Sequence, residues 1–194
     1  MDPITSRPPG RPRSQRAEDA ILRAALALLA ERKNVAEVSI EAIAARAEVG
    51  KATIYRRWPG KEELFADAVA TLRPPLPELG QAPLRDDLIA IFTQVCAEMD
   101  SPLDRAVTVL MMDQTHPEIV HRIKQQVLAP RSRAVANLLR RGVDNGEITP
   151  DVDPEAVVNL LTGGAFFCRR PAGGRSAQER AQLLVDTVWN GIRA

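Results

Sequence analysis

The sequence predicts an all-α protein with about nine helices. Only 4% of its residues are aromatic, and no run of β-branched residues alternates with polar ones as a half-buried strand requires. Apolar residues recur instead at helical spacing, in stretches separated by proline and glycine. With 194 residues, 45% of them hydrophobic, the chain is long enough to bury a substantial core.

A helix-turn-helix is predicted between Ser39 and Trp58. Ser39 is a suitable N-cap for the first helix, and Gly50 breaks the apolar run behind it. Gly50 either adopts a positive φ or opens the second helix, Lys51 to Trp58, without a side chain. The buried face of the first helix would consist of Ile40, Ile43, Ala44 and Ala47.

The second helix of this motif has a basic outer face. Lys51, Arg56 and Arg57 can neutralise phosphates or donate to guanine edges, and the hydroxyls of Thr53 and Tyr55 can bond phosphate oxygens. A solvated basic face, with the aromatic side chains as core, is the alternative. The charge distribution favours DNA, because residues 1–61 hold 12 Lys and Arg against 7 Asp and Glu, whereas the whole chain carries a net charge of +1.

The stretch IAARAEVGKATIYRRWPGKEELF, Ile43 to Phe65, resembles the DNA-binding signature of TetR-family transcriptional regulators. Gly50 departs from that signature, since many members have a capping serine there. The resemblance implies a dimeric, sequence-specific repressor whose second domain binds a small molecule. Lys51 and Arg56 are expected at base edges, and Thr53, Tyr55 and Lys61 at phosphates. The full set of expected contacts in the motif is Ser39, Lys51, Ala52, Thr53, Tyr55, Arg56 and Lys61.

The first 13 residues are rich in Pro, Gly and Arg and are expected to form a disordered basic arm. Gly10-Arg11-Pro12-Arg13 resembles the core of an AT-hook, in which arginines enter a narrow minor groove. Arg11 and Arg13 are therefore either DNA contacts or part of a solvated tail. Ser14 is expected to cap a first helix that runs to about Lys33.

The remaining chain divides into a DNA-binding domain, residues 14–73, and a helical ligand-binding and dimerisation domain, residues 74–194. A proline-rich connector, Arg73 to Pro83, separates them. Pro130 is expected to kink a long helix, Asn145-Gly146 to stop it, and Asp153-Pro154 to start the next. The expected helices after the motif are Lys61 to about Leu72, Leu84 to Met99, one through Leu103 and Met111, Pro117 to Asn145, Pro154 to about Arg169, and Ser176 to Arg193.

An apolar effector cavity is expected between the helices of residues 84–145, with ordinary core as the alternative. Few buried charges are foreseen in it. Its candidate lining residues are Phe92, Val95, Met99, Leu110, Met111 and Met112. A helix that is apolar on almost every side needs a second partner surface, so the last two helices are expected to form a homodimer through Leu161, Gly164, Phe167, Leu184, Val188 and Trp189.

Other functional classes find little support in the sequence. No nucleophile and base can be paired, so no enzyme, catalytic residue or cofactor is expected. His116 and His121 lack metal-ligand spacing, and no metal is expected. Without an apolar leader or a membrane-length segment, a cytoplasmic protein is expected. A constitutive repressor and a thiol-based sensor using Cys96 or Cys168 remain as alternatives, although both cysteines are expected to be buried in apolar helices.

Overall fold

A computed structural model describes residues 11–80, 82–112, 115–168 and 174–194, and every regular element in these ranges is helical. The all-α prediction is confirmed. In chain order the elements are α1 Arg11–Arg32, α2 Ile40–Arg46, α3 Lys51–Tyr55, α4 Lys61–Leu72, α5 Leu84–Met99, α6 Pro102–Met112, α7 Pro117–Ile123, α8 Ala129–Asp144, α9 Pro154–Phe167 and α10 Ala177–Ile192. A π-helical turn, Lys124–Leu128, joins α7 to α8.

The first helix begins earlier than its capping signal indicates. α1 starts at Arg11, so Ser14 lies inside the helix and not at its N-cap, and Arg11 to Arg13 are not in a disordered arm. Pro12 is compatible with this start, because the first turn of a helix leaves its N–H groups without intrahelical partners. The local preference of Ser14 for an N-cap therefore did not decide where the helix begins.

The helix-turn-helix forms as predicted, with a shorter second helix. The hydroxyl of Ser39 accepts a hydrogen bond from the Ala42 N–H at 3.1 Å and caps α2. Gly50 precedes α3 with a φ of −74°, so it opens the helix and does not supply a positive φ. The positive φ in this turn, 55°, belongs to Glu48. Trp58 lies beyond the end of α3, and its buried indole is fixed against α4.

The interruption predicted at Pro130 takes the form of a π turn. Proline has no N–H to donate, and its ring crowds the carbonyl four residues earlier. Residues Lys124–Leu128 widen the helix just before this position, and the Ala129 N–H bonds the Lys124 carbonyl. Because α7, the π turn and α8 are continuous, the described part of the chain contains nine helical segments, in agreement with the prediction.

Strong capping signals place the later helices. α8 ends in a Schellman motif in which Gly146, with φ 76°, donates to the Val143 carbonyl and Glu147 donates to the Gly142 carbonyl. Asp153 accepts from the Glu155 N–H at 2.9 Å at the start of α9. Ser176 and Glu179 form a reciprocal capping box at the start of α10.

Two apolar cores organise the molecule. The first contains the buried faces of α1 to α4 together with residues of α6, α7 and the π turn, among them Val107, Ile119 and Ile123. The second joins α5, α8, α9 and α10. The connector between α4 and α5 has no helix in its described residues. The helices on either side of the helix-turn-helix, α1 and α4, therefore pack directly onto α6 and α7, which follow the connector in sequence.

Candidate DNA-binding surface and interior cavity

The short helix α3 divides into a buried and an exposed side. Ile54 is fully buried, whereas Lys51, Ala52, Tyr55 and Arg56 are exposed. The Tyr55 ring is 52% exposed, which contradicts the alternative that it belongs to the core. Four of the predicted contact residues thus lie on one outward surface, whereas Thr53 is half-buried.

Trp58 fixes the recognition helix to the helix behind it. The indole Nε1–H of Trp58 donates to Oδ2 of Asp67 on α4 at 2.9 Å. Its side chain belongs to the first core, as does that of Ile54. Because a buried indole N–H needs an acceptor, this bond sets the position of α3 relative to α4.

The cations around α3 have different partners. Arg57 forms an ion pair with Glu18 of α1, and both side chains are about three-quarters buried. Lys51 lies 3.1 Å from Glu41 of α2, where both side chains are more than half exposed. The pKa of Glu41 is lowered, mainly by its own backbone N–H in the first turn of α2 and then by Lys51. Arg57 thus braces the motif, while Lys51 and Arg56 remain on the outer surface.

Lys61 is engaged with the protein backbone. Its ammonium donates to the carbonyl oxygens of Val35 and Val38 at 3.1 and 3.0 Å. These bonds hold the loop between α1 and α2 against the start of α4, a contact that sequence spacing does not reveal. A phosphate contact by Lys61 stays a prediction, as does that of Thr53, which is half-buried. The DNA contact of Ser39, which is exposed, also stays a prediction. The side chains of Arg11 and Arg13 lie outside the described residues.

A partly open cavity of about 400 Å³ lies where the prediction placed the effector site. Its apolar lining includes five of the six predicted residues: Phe92, Val95, Met99, Met111 and Met112. Leu110 was predicted wrongly. It is fully buried on the other side of α6, in the core shared with the helix-turn-helix. Other lining residues come from α8 and α9, among them Ser132, Val135, Val158, Thr162 and Phe166.

One wall of the cavity is charged, contrary to the expectation of few buried charges. Arg73 and Arg131 both lie 2.8 Å from Glu98, and Arg73 lies 3.5 Å from Asp104. Arg73, Asp104 and Arg131 line the cavity. The partners are 25 and 33 residues apart in the two pairs that involve Glu98, so no local pattern could have indicated them.

An exposed apolar stripe runs along α9. Leu160 is 65% exposed and Phe167 is 85% exposed, with Gly164 between them on the same face. Leu161 was predicted wrongly as an interface residue, because it is fully buried in the second core. A helix with apolar residues all round does not reveal which side faces inward.

The predicted interface residues on α10 are partly buried. Leu184, Val188 and Trp189 pack against the second core at its edge, while Leu183 is 49% exposed. The missing side chain at Gly164 lets α10 come close, since a Cβ there would lie 2.6 Å from Leu184. α9 and α10 thus form one surface with exposed leucine and phenylalanine side chains.

The two cysteines differ in environment. Cys96 is fully buried, and burial raises the pKa of its thiol. Cys168 lies just after the end of α9 and is exposed, so the expectation that it is buried was wrong. Across the described ranges, no group of three His, Cys, Asp or Glu side chains is arranged to hold a metal ion. None of the helices in those ranges combines the length and apolar character that spanning a bilayer requires.

Family comparisons agree with this architecture. Residues 21–68 match the model for bacterial regulatory proteins of the tetR family, and residues 80–188 match the tetracyclin repressor-like C-terminal domain. The HTH-type transcriptional regulator YdeS of Bacillus subtilis is 29% identical over 189 residues, covering 95% of this chain and 94% of YdeS. An HTH-type transcriptional regulator of Mycobacterium bovis is 30% identical over 175 residues, covering 88% of this chain and 85% of its own.

A solved structure shares the fold. NalD, the secondary repressor of the MexAB-OprM multidrug efflux pump in Pseudomonas aeruginosa, superposes with a TM-score of 0.72 at 22% sequence identity. The superposition covers 93% of this chain and 97% of NalD. The two family models together cover the helix-turn-helix and most of the helices around the cavity, and the fold of the chain agrees with that of NalD. The chain therefore belongs to the TetR family of helix-turn-helix transcriptional regulators.

Proposed function

We propose that this regulator is a homodimeric repressor that binds a near-palindromic operator and leaves it when a small, mostly apolar molecule enters the cavity. The observation that carries the proposal is the position of Arg73. This residue is the C-cap of α4, directly after Leu72, and its side chain lines the cavity. A molecule in the cavity would thus contact the helix against which the recognition helix is fixed.

Two contacts support a mechanical connection through α4. The Trp58–Asp67 hydrogen bond ties α3 to α4, and Arg122 of α7 lies 3.0 Å from Glu63 near the start of α4. A ligand releases DNA only if it binds better to a conformation in which the two recognition helices no longer match the half-sites. By reciprocity, operator DNA weakens ligand binding by the same factor.

The dimer would form through α9 and α10. The exposed side chains of Leu160, Phe167 and Leu183 provide an apolar surface that a second copy would cover. Two copies of this helix pair would make a four-helix bundle with two-fold symmetry, which requires a roughly palindromic operator. The description of NalD as a repressor supports repression over activation in this chain.

The test uses operator DNA selected from a random library by the wild-type protein. Fluorescence anisotropy would follow the release of this DNA during titration with apolar compounds that raise the melting temperature of the protein. Val95→Phe places a ring in the cavity and should keep operator affinity while losing release. Release that persists in Val95→Phe would show that the effector acts outside this cavity, whereas the absence of any binding compound would favour a constitutive repressor.

A further inference from the structure

The cavity has two chemically different parts. Phe92, Val95 and Met99 of α5 and Met111 of α6 form an apolar part, and Arg73, Asp104 and Arg131 form a charged wall with Glu98 behind them. A purely hydrocarbon ligand would match only the first part. The second part determines which polar group a ligand can carry.

The charged wall is balanced. It contains two guanidinium groups and two carboxylates, and the side chains of Arg73, Glu98 and Asp104 are each no more than 9% exposed. Each carboxylate has a guanidinium partner, so a charged ligand group would enter a desolvated site without a counter-ion of its own. The wall therefore favours a ligand that carries no net charge.

One hydrogen-bond donor in the wall has no acceptor. The Nε–H of Arg73 is buried and without a partner, although the terminal nitrogens of the same guanidinium face Glu98 and Asp104. Arg131 differs, because its Nη1 donates to the Pro74 carbonyl at 2.6 Å and its Nη2 to Glu98. A buried donor without an acceptor is costly. The Nε atom has almost no accessible surface, so a ligand oxygen bonds it and recovers that cost only when the guanidinium turns away from Asp104, its longest contact at 3.5 Å.

We propose that Arg73 is the polar recognition point of the cavity. Its guanidinium donates a hydrogen bond to a carbonyl oxygen of an uncharged, mostly apolar effector. This inference rests on the proposed effector function and specifies the chemical class of the effector. A carbonyl oxygen accepts hydrogen bonds without adding charge, and it can compete with Asp104 for the guanidinium at the longest contact of the cluster, 3.5 Å. Arg73 is also the C-cap residue of α4, so the residue that would bind the effector is attached to the helix that would transmit the release of DNA.

The test compares three probes of similar size: benzophenone, diphenylmethane and diphenylacetate. Isothermal titration calorimetry on DNA-free wild-type protein should show that benzophenone binds about tenfold or more tightly than diphenylmethane, because a hydrogen bond to a charged donor contributes that much. Diphenylacetate should bind more weakly than benzophenone. Equal binding of the ketone and the hydrocarbon, or no binding by any of the three, would overturn the proposal.

Two arginine variants locate the preference. Arg73→Lys keeps a cation beside Glu98 and Asp104 but has no Nε–H, and it should bind benzophenone and diphenylmethane with nearly equal affinity. Arg131→Lys disturbs the same Glu98 cluster and should retain the preference for the ketone. Thermal unfolding establishes that both variants are folded. A preference that survives in Arg73→Lys would contradict the assignment.

The same probes separate this inference from the proposed function. Ketone preference in DNA-free protein is measured without an operator. If benzophenone is preferred through Arg73 but does not release operator DNA, the result supports the proposal for Arg73 and contradicts effector-controlled release. If other apolar compounds release DNA while benzophenone and diphenylmethane bind equally, the result supports the proposed function and contradicts the proposal for Arg73.

Discussion

The ammonium of Lys51 lies 3.1 Å from the carboxylate of Glu41, across the turn of the helix-turn-helix. Lys51 is the first residue of the recognition helix, and Glu41 is in the first turn of the helix before it. Both side chains are more than half exposed, so solvent screens the pair. In a DNA complex, Lys51 would exchange this carboxylate for a base edge or a phosphate.

Substitutions at these two positions should change operator binding in opposite directions. Lys51→Ala should weaken specific binding by about 1–3 kcal/mol and relax base preference at one position. Glu41→Gln should strengthen binding, because it removes a negative charge beside the phosphates and frees Lys51. Anisotropy titrations over a salt series measure both effects. Unchanged operator affinity in Lys51→Ala would contradict its assignment to the interface.

Gly50→Ser should stabilise the protein by about 0.5 kcal/mol, because a serine hydroxyl caps α3 and reduces the freedom of the unfolded chain. The backbone at Gly50 has a φ of −74°, and no atom lies within 4 Å of the position that a Cβ would occupy. Urea unfolding measures the change.

Gly142→Ser is the matched control for this substitution. A Cβ at position 142 would lie 2.3 Å from Leu84, so the same exchange should destabilise the protein. Destabilisation by Gly50→Ser would show that the start of α3 does not tolerate a capping side chain.

Phe167→Asp should give a folded monomer with weakened operator binding. Its side chain is 85% exposed in the single chain, so a charge there disturbs the proposed interface and not the core. Sedimentation velocity and circular dichroism would detect monomer formation with retained helix content.

A buried position in the same helix, Leu161, supplies the control for Phe167→Asp. Leu161→Ala should lower the free energy of unfolding by about 2–5 kcal/mol, since this side chain is fully buried. A wild-type protein that sediments as a monomer at micromolar concentration would contradict the dimer proposal.

Cys168 should react rapidly with a thiol reagent in the native protein, whereas Cys96 should react only when the protein unfolds. Cys168 is exposed, while burial of Cys96 raises the pKa of its thiol and lowers its thiolate fraction. Labelling followed by mass spectrometry distinguishes the two sites, and Cys168→Ser is the control. Release of operator DNA on labelling of Cys168 would support the thiol-sensor alternative.

Helix boundaries were predictable where the signals are local. α4 and α5 occupy the predicted residues Lys61–Leu72 and Leu84–Met99, because breakers flank both helices. The exposed side of α3 was also predictable, since its basic residues are close together in sequence. Short-range chemistry, in capping and in helical periodicity, determines these features.

Features that depend on distant partners were not predictable. Leu161, and not Leu160, faces the core because the packing of α9 against α5, α8 and α10 selects one side of an apolar helix. The pairing of Arg73 and Arg131 with Glu98 joins three separate helical regions. Sequence periodicity gives the faces of a helix, but tertiary packing decides which neighbour each face meets.

The core shared by α1, α4, α6 and α7 bears on how such regulators could exchange parts during evolution. A recombination event at the connector would link the segment from α1 through α4 to a foreign partner. It would remove the residues of α6 and α7 that share the first core with α1 and α4. The transferred segment would then expose an apolar surface unless the new partner reproduced that packing. New operator specificity is thus more readily acquired by substitutions on the outer side of α3 than by shuffling the whole N-terminal segment.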